Sequence, residues 1–281
     1  MKNIVCIIQA RTTSSRLPNK VLLPLPFGGG KTVLENVLDR VKKSKYINKI
    51  VIATTNNETD NLIENKAKEH GVEVFRGSED NVLSRYYGAA KLVSADKIVR
   101  ITSDCPCIDP KILDNLIKKH LEEKNDYTSN GLKRSYPHGL DCEIFNMEVL
   151  EEANKKAKEK IELEHVTPYI YKTNPNKFKI GHLVNKEDYH DIRITLDTKE
   201  DYNLLCSVFD YLYEKDNYFD MNKIVVLFQK KPWIKALNSN VEQKIVCNSL
   251  KEELLEAIKL IKKQDLNRAG IFLEEKLNEE K

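Results

Sequence analysis

Three basic side chains follow the first predicted strand with no acidic residue among them: Arg11, Arg16 and Lys20. Phosphate groups are bound by bidentate guanidinium donors, by the point charge of an ammonium group, and by free backbone N–H groups of a loop. The segment 9–20 offers all three, together with four hydroxyl side chains at positions 12–15. It is not a P-loop, because that motif requires GxxxxGKS/T and the segment has no glycine. We therefore predict that a phosphorylated ligand binds to this basic loop.

A carboxylate is placed to complete such a site with a metal ion. Asp104 comes directly after the apolar segment KIVRITS, which is typical of a buried strand. Parallel strands present their carboxyl ends at one edge of a sheet, where ligands bind, so Asp104 should face the basic loop there. Mg²⁺ is typically held by one or two carboxylates together with phosphate oxygens. We predict that Asp104 binds Mg²⁺, or Mn²⁺ in its place; the alternative is that Asp104 only caps the following turn.

Further polar side chains are candidates for binding a second substrate. In the segment HGLDCEIF, Asp141 and Glu143 would share one face of a strand, because side chains alternate with a period of two. Arg193 could bind a carboxylate or a phosphate. The alternatives are that His165 is a packed, hydrogen-bonded histidine and that Glu143 lies at a dimer surface. The candidates are His138, Asp141, Glu143, Glu164, His165 and Arg193.

Strands and helices alternate over the first 120 residues, which predicts an α/β fold. Apolar, β-branched runs typical of buried strands begin near residues 3, 49, 73 and 97, and each is followed by a segment with helical spacing. Thr32 and Glu35 have the spacing of a capping box, and Pro110 is suited to a first helical turn. This order predicts a mostly parallel central sheet with helices on both faces.

From about residue 126 the pattern changes to shorter strands. The segments YTSN, HGLDCEIFN, KFKIGHLV and DIRITLD are strand candidates around one long helix at 147–173. Two more helices and a charged, amphipathic tail follow. We predict one main domain at 1–240, in which about 126–195 forms a small α+β continuation for dimerisation and binding of the second substrate, and a charged helical extension at 241–281.

The composition is that of an ordinary soluble globular protein. The 281 residues are 41% hydrophobic and 32% charged, and 46 basic residues against 43 acidic ones give a net charge of +3. Nucleic-acid coats and polybasic membrane binders need a stronger basic excess. No stretch approaches the ~18 apolar residues of a membrane span, and the start is too short for a signal peptide. The six scattered cysteines lack zinc spacing. We expect a cytoplasmic protein that binds neither nucleic acid nor membrane.

The chain resembles a known family. The stretch QARTTSSRLPNKVL has the pattern R-x4-R-x3-K of the cytidylyltransferases that activate acidic sugars, the CMP-Kdo and CMP-sialic acid synthetases. It is especially similar to nucleotidyltransferases of the spore coat polysaccharide biosynthesis protein F type. The likeness continues through FRGSEDNVLSRYY, VRITSDCPCIDP, YPHGLDCEIF, EHVTPYI and RITLDTKEDY, over about residues 3–235. The loop differs from the usual QARMGSTRLPGK, since Thr12-Thr13 replaces Met-Gly and Asn19 replaces glycine.

The resemblance implies a nucleotide-diphospho-sugar transferase-like fold and a homodimer. It also implies Mg²⁺-dependent transfer of a nucleotidyl group from CTP to an acidic sugar or phosphorylated small acid, with release of pyrophosphate, in polysaccharide precursor synthesis. In such enzymes the Asp of DCP binds the metal ion, and a later Asp, here Asp197, often joins it. The alternative is that Asp197 only starts the helix at DTKED. The segment with Arg76 and Arg85 is expected to line the nucleotide or the acceptor. Catalytic roles are implied for Arg11, Arg16, Lys20 and Asp104. The implied nucleotide-binding residues are Gln9, Ala10, Arg11, Ser15, Arg16, Lys20, Arg76 and Ser103.

Several alternatives stay open. The acceptor could be a sugar acid such as a nonulosonate, or a phosphorylated sugar or small acid, and CTP is preferred to other nucleotides on the resemblance alone. A glycosyltransferase is the second interpretation, although such enzymes commonly carry a DxD motif and SDCP has one Asp. A non-catalytic nucleotide-binding scaffold is the third, in which the tail after about residue 248 would bind a partner. Asp104 and Asp197 argue against an inactive site.

Overall fold

The computed structural model describes residues 2–213, 218–241 and 249–279 and contains a seven-stranded sheet. Its strands are β1 (Ile4–Gln9), β2 (Lys49–Thr55), β3 (Glu73–Gly77), β4 (Lys97–Thr102), β5 (Tyr127–Ser129), β6 (Glu143–Asn146) and β7 (Ile180–His182). The order is β3-β2-β1-β4-β6-β5-β7. The first four strands in this order are parallel, β6 is antiparallel to both neighbours, and β7 is parallel to β5. The predicted mostly parallel α/β fold is confirmed.

Helices of the unit Met1–Val241 pack against both faces of this sheet. They are α1 (Val33–Val41), α2 (Asn61–Glu69), α3 (Val82–Leu92), α4 (Pro110–Glu123), α5 (Met147–Lys156), α6 (Lys160–His165), α7 (Lys199–Leu212), α8 (Met221–Lys230) and α9 (Trp233–Ala236). Two further helices, α10 (Leu250–Lys263) and α11 (Asn267–Glu279), belong to the second unit, Glu242–Lys281. Alternate residues of β1 enter two different cores because strand side chains point to opposite faces. Ile4, Cys6 and Ile8 join α1, α4, α7 and α8, whereas Val5 and Ile7 join α3 and α5.

The helix starts predicted from capping patterns are confirmed. Thr32 accepts a hydrogen bond from the backbone N–H of Glu35 at 3.2 Å, and the Glu35 carboxylate accepts one from the backbone N–H of Thr32 at 2.7 Å. This is the reciprocal capping box, which satisfies two N–H groups at the start of α1. Asp109 likewise accepts from the N–H of Lys111, with Pro110 in the first turn of α4. Local sequence therefore fixes where both helices begin.

Two predictions in the second half of the main unit are wrong. The helix predicted at 147–173 is divided into α5, α6 and a π-helical turn at Tyr169–Thr173. Ala157 has extended backbone after α5, and Glu159 starts α6 with its own capping box. The segment DIRITLD is not a strand either: it makes a single bridge, between Arg193 and His138. Hydrophobic periodicity did not predict these differences, because it reports neither the extended backbone at Ala157 nor which segments pair as strands.

The sheet order places the basic loop beside Asp104. From β1 the chain passes to β2, which pairs with one side of β1, whereas β4 pairs with its other side. Ligands of open α/β sheets bind at such a point, outside the carboxyl ends of the strands. Gln9 ends β1 and Thr102 ends β4, and the two residues are paired in register. The segments that follow them therefore start from adjacent positions at one edge.

The chain divides into two compact units, Met1–Val241 and Glu242–Lys281. Residues 242–248, within the extension predicted at 241–281, lie outside the described residues. The tail was predicted as amphipathic; its described part consists of two helices, α10 and α11, with Asp265 at positive φ between them. Lys262 and Glu274 form an ion pair of 2.6 Å between the two helices. Within the described residues, every helix is too short or too polar to cross a bilayer.

A fully buried histidine should make stability depend on pH. Burial lowers the pKa of His120 to about 4, while its ring nitrogens contact Thr128 and Asn146 at 3.0 and 3.1 Å. The folded state thus excludes a proton that the unfolded chain binds below about pH 6.5. We expect the free energy of unfolding to fall by about 2–3 kcal/mol from this group between pH 6.5 and pH 4.

Urea denaturation at several pH values measures this contribution. In His120→Gln the same fall between pH 6.5 and pH 4 should be smaller, while above pH 7.5 the two proteins should differ by a constant amount. Equal slopes for both proteins below pH 6.5 would contradict the assignment to His120.

Candidate functional site

The basic loop is anchored at its first turn to the end of β2. Thr12 is buried, and Asp60 accepts hydrogen bonds from its backbone N–H at 2.8 Å and from its hydroxyl at 2.6 Å. Asp60 also accepts from Thr54 and Thr55 at the end of β2. Burial alone would raise the pKa of Asp60, but these hydrogen bonds lower it. Asp60 holds the loop against the neighbouring strand, a role that the sequence did not reveal.

Asn19 supplies the backbone conformation that a glycine would otherwise provide. Its φ is 57° and its ψ is 18°, in the left-handed region, and its side chain makes no capping hydrogen bond. Its backbone N–H donates to the carbonyl oxygen of Thr12 at 2.9 Å, which closes the loop. Asn tolerates this region better than most residues other than glycine. The replacement of glycine by Asn19 is therefore compatible with the loop.

Substitutions at Asn19 should report on this backbone conformation. We expect Asn19→Ala to lower the free energy of unfolding by about 1 kcal/mol, since Cβ is unfavourable at positive φ and no side-chain contact is lost. Asn19→Gly should stay within about 0.5 kcal/mol of the parent protein. Chemical denaturation measures both. A larger loss for glycine than for alanine would show that the side chain, not the backbone, matters.

Each basic residue of the loop has an acidic partner from a distant part of the chain. Lys20 contacts Asp104 at 2.7 Å and Asp197 at 2.8 Å, and Arg16 contacts Asp197 at 3.1 Å. Arg11 lies 3.6 Å from Glu79. The expectation that the three charges lack carboxylate partners therefore holds only within the loop itself. Tertiary structure brings the carboxylates to them.

Asp104 and Asp197 converge on the ammonium group of Lys20. The three side chains are 23%, 19% and 12% exposed, so the cluster is largely shielded but open to ligands. Burial would raise the pKa of Asp104, yet Lys20 lowers it overall. Burial opposes ionisation of Asp197 as well, but Lys20 and Arg16 hold its pKa well below the usual range. Both carboxylates are therefore charged at neutral pH.

Asp197 is positioned by a buried network that sequence patterns did not reveal. Asp201 is fully buried and accepts hydrogen bonds from Nε and Nη2 of Arg193, both at 2.8 Å. It also accepts from the backbone N–H groups of Asp197 and Thr198, and from Asn238 at 2.8 Å. Nη2 of Arg193 donates to Asp197 at 3.0 Å. Arg193 and Asp201 therefore fix where the Asp197 carboxylate points.

The segment with Asp197 is also attached directly to the turn after β4. The backbone N–H of Leu196 donates to the carbonyl oxygen of Asp104 at 2.9 Å, and the hydroxyl of Thr195 donates to the same oxygen at 3.3 Å. These two contacts join residues more than ninety positions apart. They bring the two carboxylates to one place, which no local pattern specifies.

A row of polar side chains extends from Arg193 to a guanidinium group that the sequence did not single out. Nη1 of Arg193 donates to Nδ1 of His138 at 3.1 Å, Nε2 of His138 lies 3.8 Å from Asp141, and Asp141 contacts Arg134 at 2.7 Å. Burial lowers the pKa of His138, and Arg134 and Arg193 act in the same direction. A neutral His138 can accept from Arg193. Gly139, at φ 112°, lets its backbone approach the backbone of Ile194 closely, because a Cβ at Gly139 would lie 2.6 Å from the carbonyl carbon of Ile194.

Glu143 belongs to a different cluster from Asp141, and the strand face that the two residues were predicted to share does not form. The strand β6 begins at Glu143, and Asp141 precedes it. Glu143 accepts hydrogen bonds from Arg100 at 2.6 Å, Tyr127 at 2.5 Å and Thr167 at 2.9 Å. Nη2 of Arg100 also donates to the side chain of Gln9 at 3.1 Å. Glu143 therefore orients Arg100 and, through it, the residue that ends β1.

The remaining nucleotide candidates lie at the same sheet edge. Ala10 and Ser103 are buried directly after β1 and β4, and the N–H of Ser103 donates to the carbonyl oxygen of Gln9 at 3.1 Å. Arg76, near the end of β3, donates to the carbonyl oxygens of Thr55 and Asn57. Ser15 lies within the basic loop. Nη1 of Arg76 also contacts Asn61 and Glu64, so all three nitrogens of Arg76 have acceptors within the chain. The predicted nucleotide-binding roles stay predictions.

Arg85, in the segment expected to line the nucleotide or the acceptor, is a buried basic residue. Arg85 is 2% exposed, and its Nε and Nη1 have no hydrogen-bond partner among the described residues. Such a buried guanidinium group is costly without an acceptor, so a ligand or water is expected to supply one.

Glu164 and His165 lie in the last turn of α6. Their predicted contact with the second substrate stays a prediction.

The donor chemistry near Lys20 fits a hard divalent cation. Within the described residues, no group of three or more His, Cys, Asp or Glu side chains is arranged around a common point. Asp104 and Asp197 nevertheless direct one oxygen each at a single cationic nitrogen, together with the backbone oxygen of Leu196. Mg²⁺ commonly takes one or two carboxylates and completes its shell with waters and substrate phosphates. Two carboxylates are therefore enough for such a site.

Comparison with known proteins places this geometry in context. Residues 5–243 match the family model described as Cytidylyltransferase. The chain is similar to an uncharacterised protein of Methanocaldococcus jannaschii, with 44% identity over 86% of this chain and 96% of the relative. It is also similar to the spore coat polysaccharide biosynthesis protein of Bacillus subtilis, with 34% identity over 83% of this chain and 96% of that protein. The resemblance noted in the sequence is thereby confirmed.

Solved structures agree. A cytidylyltransferase from Leptospira borgpetersenii superimposes with a TM-score of 0.79 and 36% identity, covering 88% of this chain and all of that one. A CMP:2-keto-3-deoxy-manno-octonic acid synthetase in complex with CTP superimposes with a TM-score of 0.56 and 15% identity, over 75% of this chain and 99% of that one. The second likeness shows a shared fold alone.

Proposed function

We propose, starting from the fact that the chain belongs to the cytidylyltransferase family, that it transfers the cytidylyl group of CTP to an acidic sugar in polysaccharide precursor synthesis. The observation that carries the proposal is the cluster of Arg16, Lys20, Asp104 and Asp197 at the carboxyl ends of β1 and β4. Basic donors for phosphate and carboxylates for a metal ion are the two requirements of nucleotidyl transfer. The cluster offers both.

The proposed reaction is a single displacement at phosphorus. A hydroxyl oxygen of the acceptor bonds to the α-phosphorus, the bond from that phosphorus to the bridging oxygen of the β-phosphate breaks, pyrophosphate leaves, and the hydroxyl proton passes to solvent. We assign Arg11, Arg16 and Lys20 to the triphosphate, where they offset the charge that develops on the leaving group. No protein nucleophile is required, so the protein contributes alignment and electrostatic stabilisation.

Other parts of the sheet edge are assigned to the rest of the nucleotide. Gln9 ends β1 and Ala10 follows it, Ser103 follows β4, Ser15 lies within the basic loop, and Arg76 lies in β3 near its end. Nε and Nη1 of the enclosed Arg85 lack acceptors among the described residues, and the electrostatic neighbours of this group include Arg11 and Glu79. It is therefore suited to a ligand that presents hydrogen-bond acceptors to a dry site. A cytosine base has such acceptors.

We assign Asp104 and Asp197 to a Mg²⁺ ion, which would neutralise charge on the reacting phosphate and on the pyrophosphate. The fit rests on the two carboxylate oxygens that already share one cationic partner. The protein's part is to hold these oxygens in place. Arg193 and Asp201 do so for Asp197, and the backbone contacts of Leu196 and Thr195 do so for the turn at Asp104.

The acceptor is assigned to the chain of side chains that starts at Arg193. His138 accepts a hydrogen bond from Arg193, Asp141 lies 3.8 Å from His138, and Arg134 pairs with Asp141, so this row of side chains begins next to the carboxylate of Asp197. Nε, Nη1 and Nη2 of Arg193 already have acceptors in the protein, whereas Arg134, which is 28% exposed, can offer further guanidinium N–H groups to an acceptor carboxylate. This favours a sugar acid over a neutral sugar. The name of the Bacillus subtilis relative, a polysaccharide biosynthesis protein, supports the proposed biosynthetic context.

Pyrophosphate release tests the proposal. The purified protein with Mg²⁺ is mixed with each of the four nucleoside triphosphates, and each mixture receives nonulosonates, Kdo, phosphosugars or small phosphoacids. Release with CTP and an acidic acceptor, and none without Mg²⁺, is the expected result. Release only with phosphosugars would exclude the sugar acid. Failure to bind any triphosphate would refute the assignment of the basic loop.

The homodimer and the cytoplasmic location stay predictions. Size-exclusion chromatography with light scattering measures the first, and fractionation of the source cells measures the second. A monomer at micromolar concentration would exclude the dimer that the resemblance implies.

A further inference from the structure

Lys20 fills the place between the two carboxylates that a metal ion would need. Its Nζ donates to Oδ2 of Asp104 at 2.7 Å, to Oδ1 of Asp197 at 2.8 Å and to the backbone oxygen of Leu196 at 2.8 Å. An ammonium group has three N–H bonds, so the protein itself satisfies all of them. The side chain is only 12% exposed. It is therefore part of a closed arrangement and not a charge waiting in solvent.

The surroundings are already balanced in charge without a divalent cation. The other oxygen of Asp197 contacts Arg16 at 3.1 Å and Arg193 at 3.0 Å. A divalent cation bound by both Asp104 and Asp197 would face three positive groups, and it would have to displace Nζ from the same oxygens. Carboxylate and carbonyl oxygens suit both kinds of cation. Lysine and metal ion therefore compete for one set of ligands.

We propose that Lys20 excludes divalent cations from the Asp104–Asp197 pair until a nucleoside triphosphate binds and draws Nζ onto its phosphates. Lys20 thus has a second role, as an internal counter-ion of the nucleotide-free enzyme. Nucleotide binding then precedes or accompanies cation binding. By thermodynamic linkage, the nucleotide and the cation strengthen each other's binding.

The local structure permits this movement without rearranging the loop. Lys20 begins the short 3₁₀ helix Lys20–Leu22, whose backbone is tied to Asn19 by the N–H of Leu22 at 2.8 Å. The four-carbon stem of lysine carries a compact charge on rotatable bonds, so Nζ can change partners while the backbone stays fixed. A triphosphate offers a higher density of negative charge than the two carboxylates. The exchange is therefore driven by electrostatics.

Binding of Mn²⁺ without nucleotide tests the competition. Free Mn²⁺ is followed by electron paramagnetic resonance while protein is added. We expect Lys20→Met to bind one Mn²⁺ at least about tenfold more tightly than the parent protein, since the competing charge is gone. Lys20→Arg, which keeps a positive charge, should bind Mn²⁺ as weakly as the parent protein. Equal affinity of the parent protein and Lys20→Met would overturn the proposal.

Two control variants test whether the gain in Mn²⁺ affinity arises at the Asp104–Asp197 pair. Lys31→Met removes a lysine that pairs with Asp39 at 2.5 Å, away from this cluster, and should not alter Mn²⁺ affinity. The double variant Lys20→Met/Asp104→Asn should lose the gained affinity. Circular dichroism verifies that each variant is folded, and Lys20→Gln replaces Lys20→Met if the latter is not. A gain of the same size in Lys31→Met would show a general charge effect and overturn the proposal.

The parent protein tests the second half of the proposal without any substitution. The ¹⁵Nζ resonance of Lys20, identified by its absence from Lys20→Arg, should shift when CTP is added in the presence of a chelator. An unchanged resonance with CTP bound would overturn the exchange of partners. The inference rests on the proposed function for the identity of the nucleotide. Neither measurement requires turnover, so a silent pyrophosphate assay would refute the proposed function and leave both results interpretable.

Discussion

Replacing Asp104 with Asn is expected to lower kcat/KM for pyrophosphate release by about a thousandfold or more while the protein stays folded. Asp104 contacts Lys20, and we assign it to the metal ion as well. Asn keeps the shape of the side chain but loses the charge, so the stabilisation of the transition state falls. Lys20 retains Asp197 and the carbonyl oxygen of Leu196 as partners, and therefore no unpaired charge is left in the cluster.

The measurement uses the Mg²⁺-dependent assay with CTP and an acceptor identified in the substrate panel. Asp39→Asn is the matched control: Asp39 pairs with Lys31 outside the cluster, so its loss should leave kcat/KM unchanged. Urea denaturation of Asp104→Asn should give a free energy of unfolding within about 1 kcal/mol of the parent protein. Retention of more than a tenth of the activity by Asp104→Asn would remove Asp104 from the catalytic residues.

Replacing Asp201 with Ala is expected to lower the free energy of unfolding by about 3–5 kcal/mol, the cost of breaking a buried ion pair by removing one partner. Asp201 is fully buried and accepts two hydrogen bonds from Arg193, one from Asn238, and those of the N–H groups of Asp197 and Thr198. The substitution removes an acceptor from each of these donors, and of the two Arg193 nitrogens only Nη2 keeps another, Asp197. It should also reduce kcat/KM, because Asp197 loses its fixed position.

Chemical denaturation gives the stability change, and the pyrophosphate assay below the unfolding midpoint gives the activity change. Asp210→Ala is the control, since Asp210 is exposed on the same helix, α7. It should change the free energy of unfolding by no more than about 0.5 kcal/mol. If Asp201→Ala costs no more than Asp210→Ala, the network around Arg193 does not support the site as described.

Local signals in the sequence predicted the first half of the fold because they depend on neighbouring residues. The apolar runs that became β1 and β4 are buried on both faces and could be recognised from composition alone. The capping box of Thr32 and Glu35 fixed the start of α1. The helix predicted at 147–173 failed, since its breaks at Ala157 and Val166 depend on backbone conformations that periodicity does not report.

The functional site, like the fold, could be predicted from the sequence only where its signals are local. A strand followed by Arg11, Arg16 and Lys20 identified the basic loop, because the type and order of these residues already state which ligand charge they suit. The sequence could not show that Asp60 anchors this loop, since that requires β2 to lie beside β1. The resemblance added Asp197, which no spacing pattern links to Asp104.

By itself, the sequence determined the α/β sheet, the family, and the chemical types gathered at the carboxyl edge of the sheet. Only the tertiary structure decided that Lys20 is already paired with both carboxylates, that Asp201 and Arg193 orient Asp197, and that Glu143 serves a cluster of its own. The physical reason is the separation along the chain over which each interaction acts. Strand and helix propensities act between near neighbours, whereas a salt bridge between positions 20 and 197 forms only after the whole sheet has brought its connecting segments together.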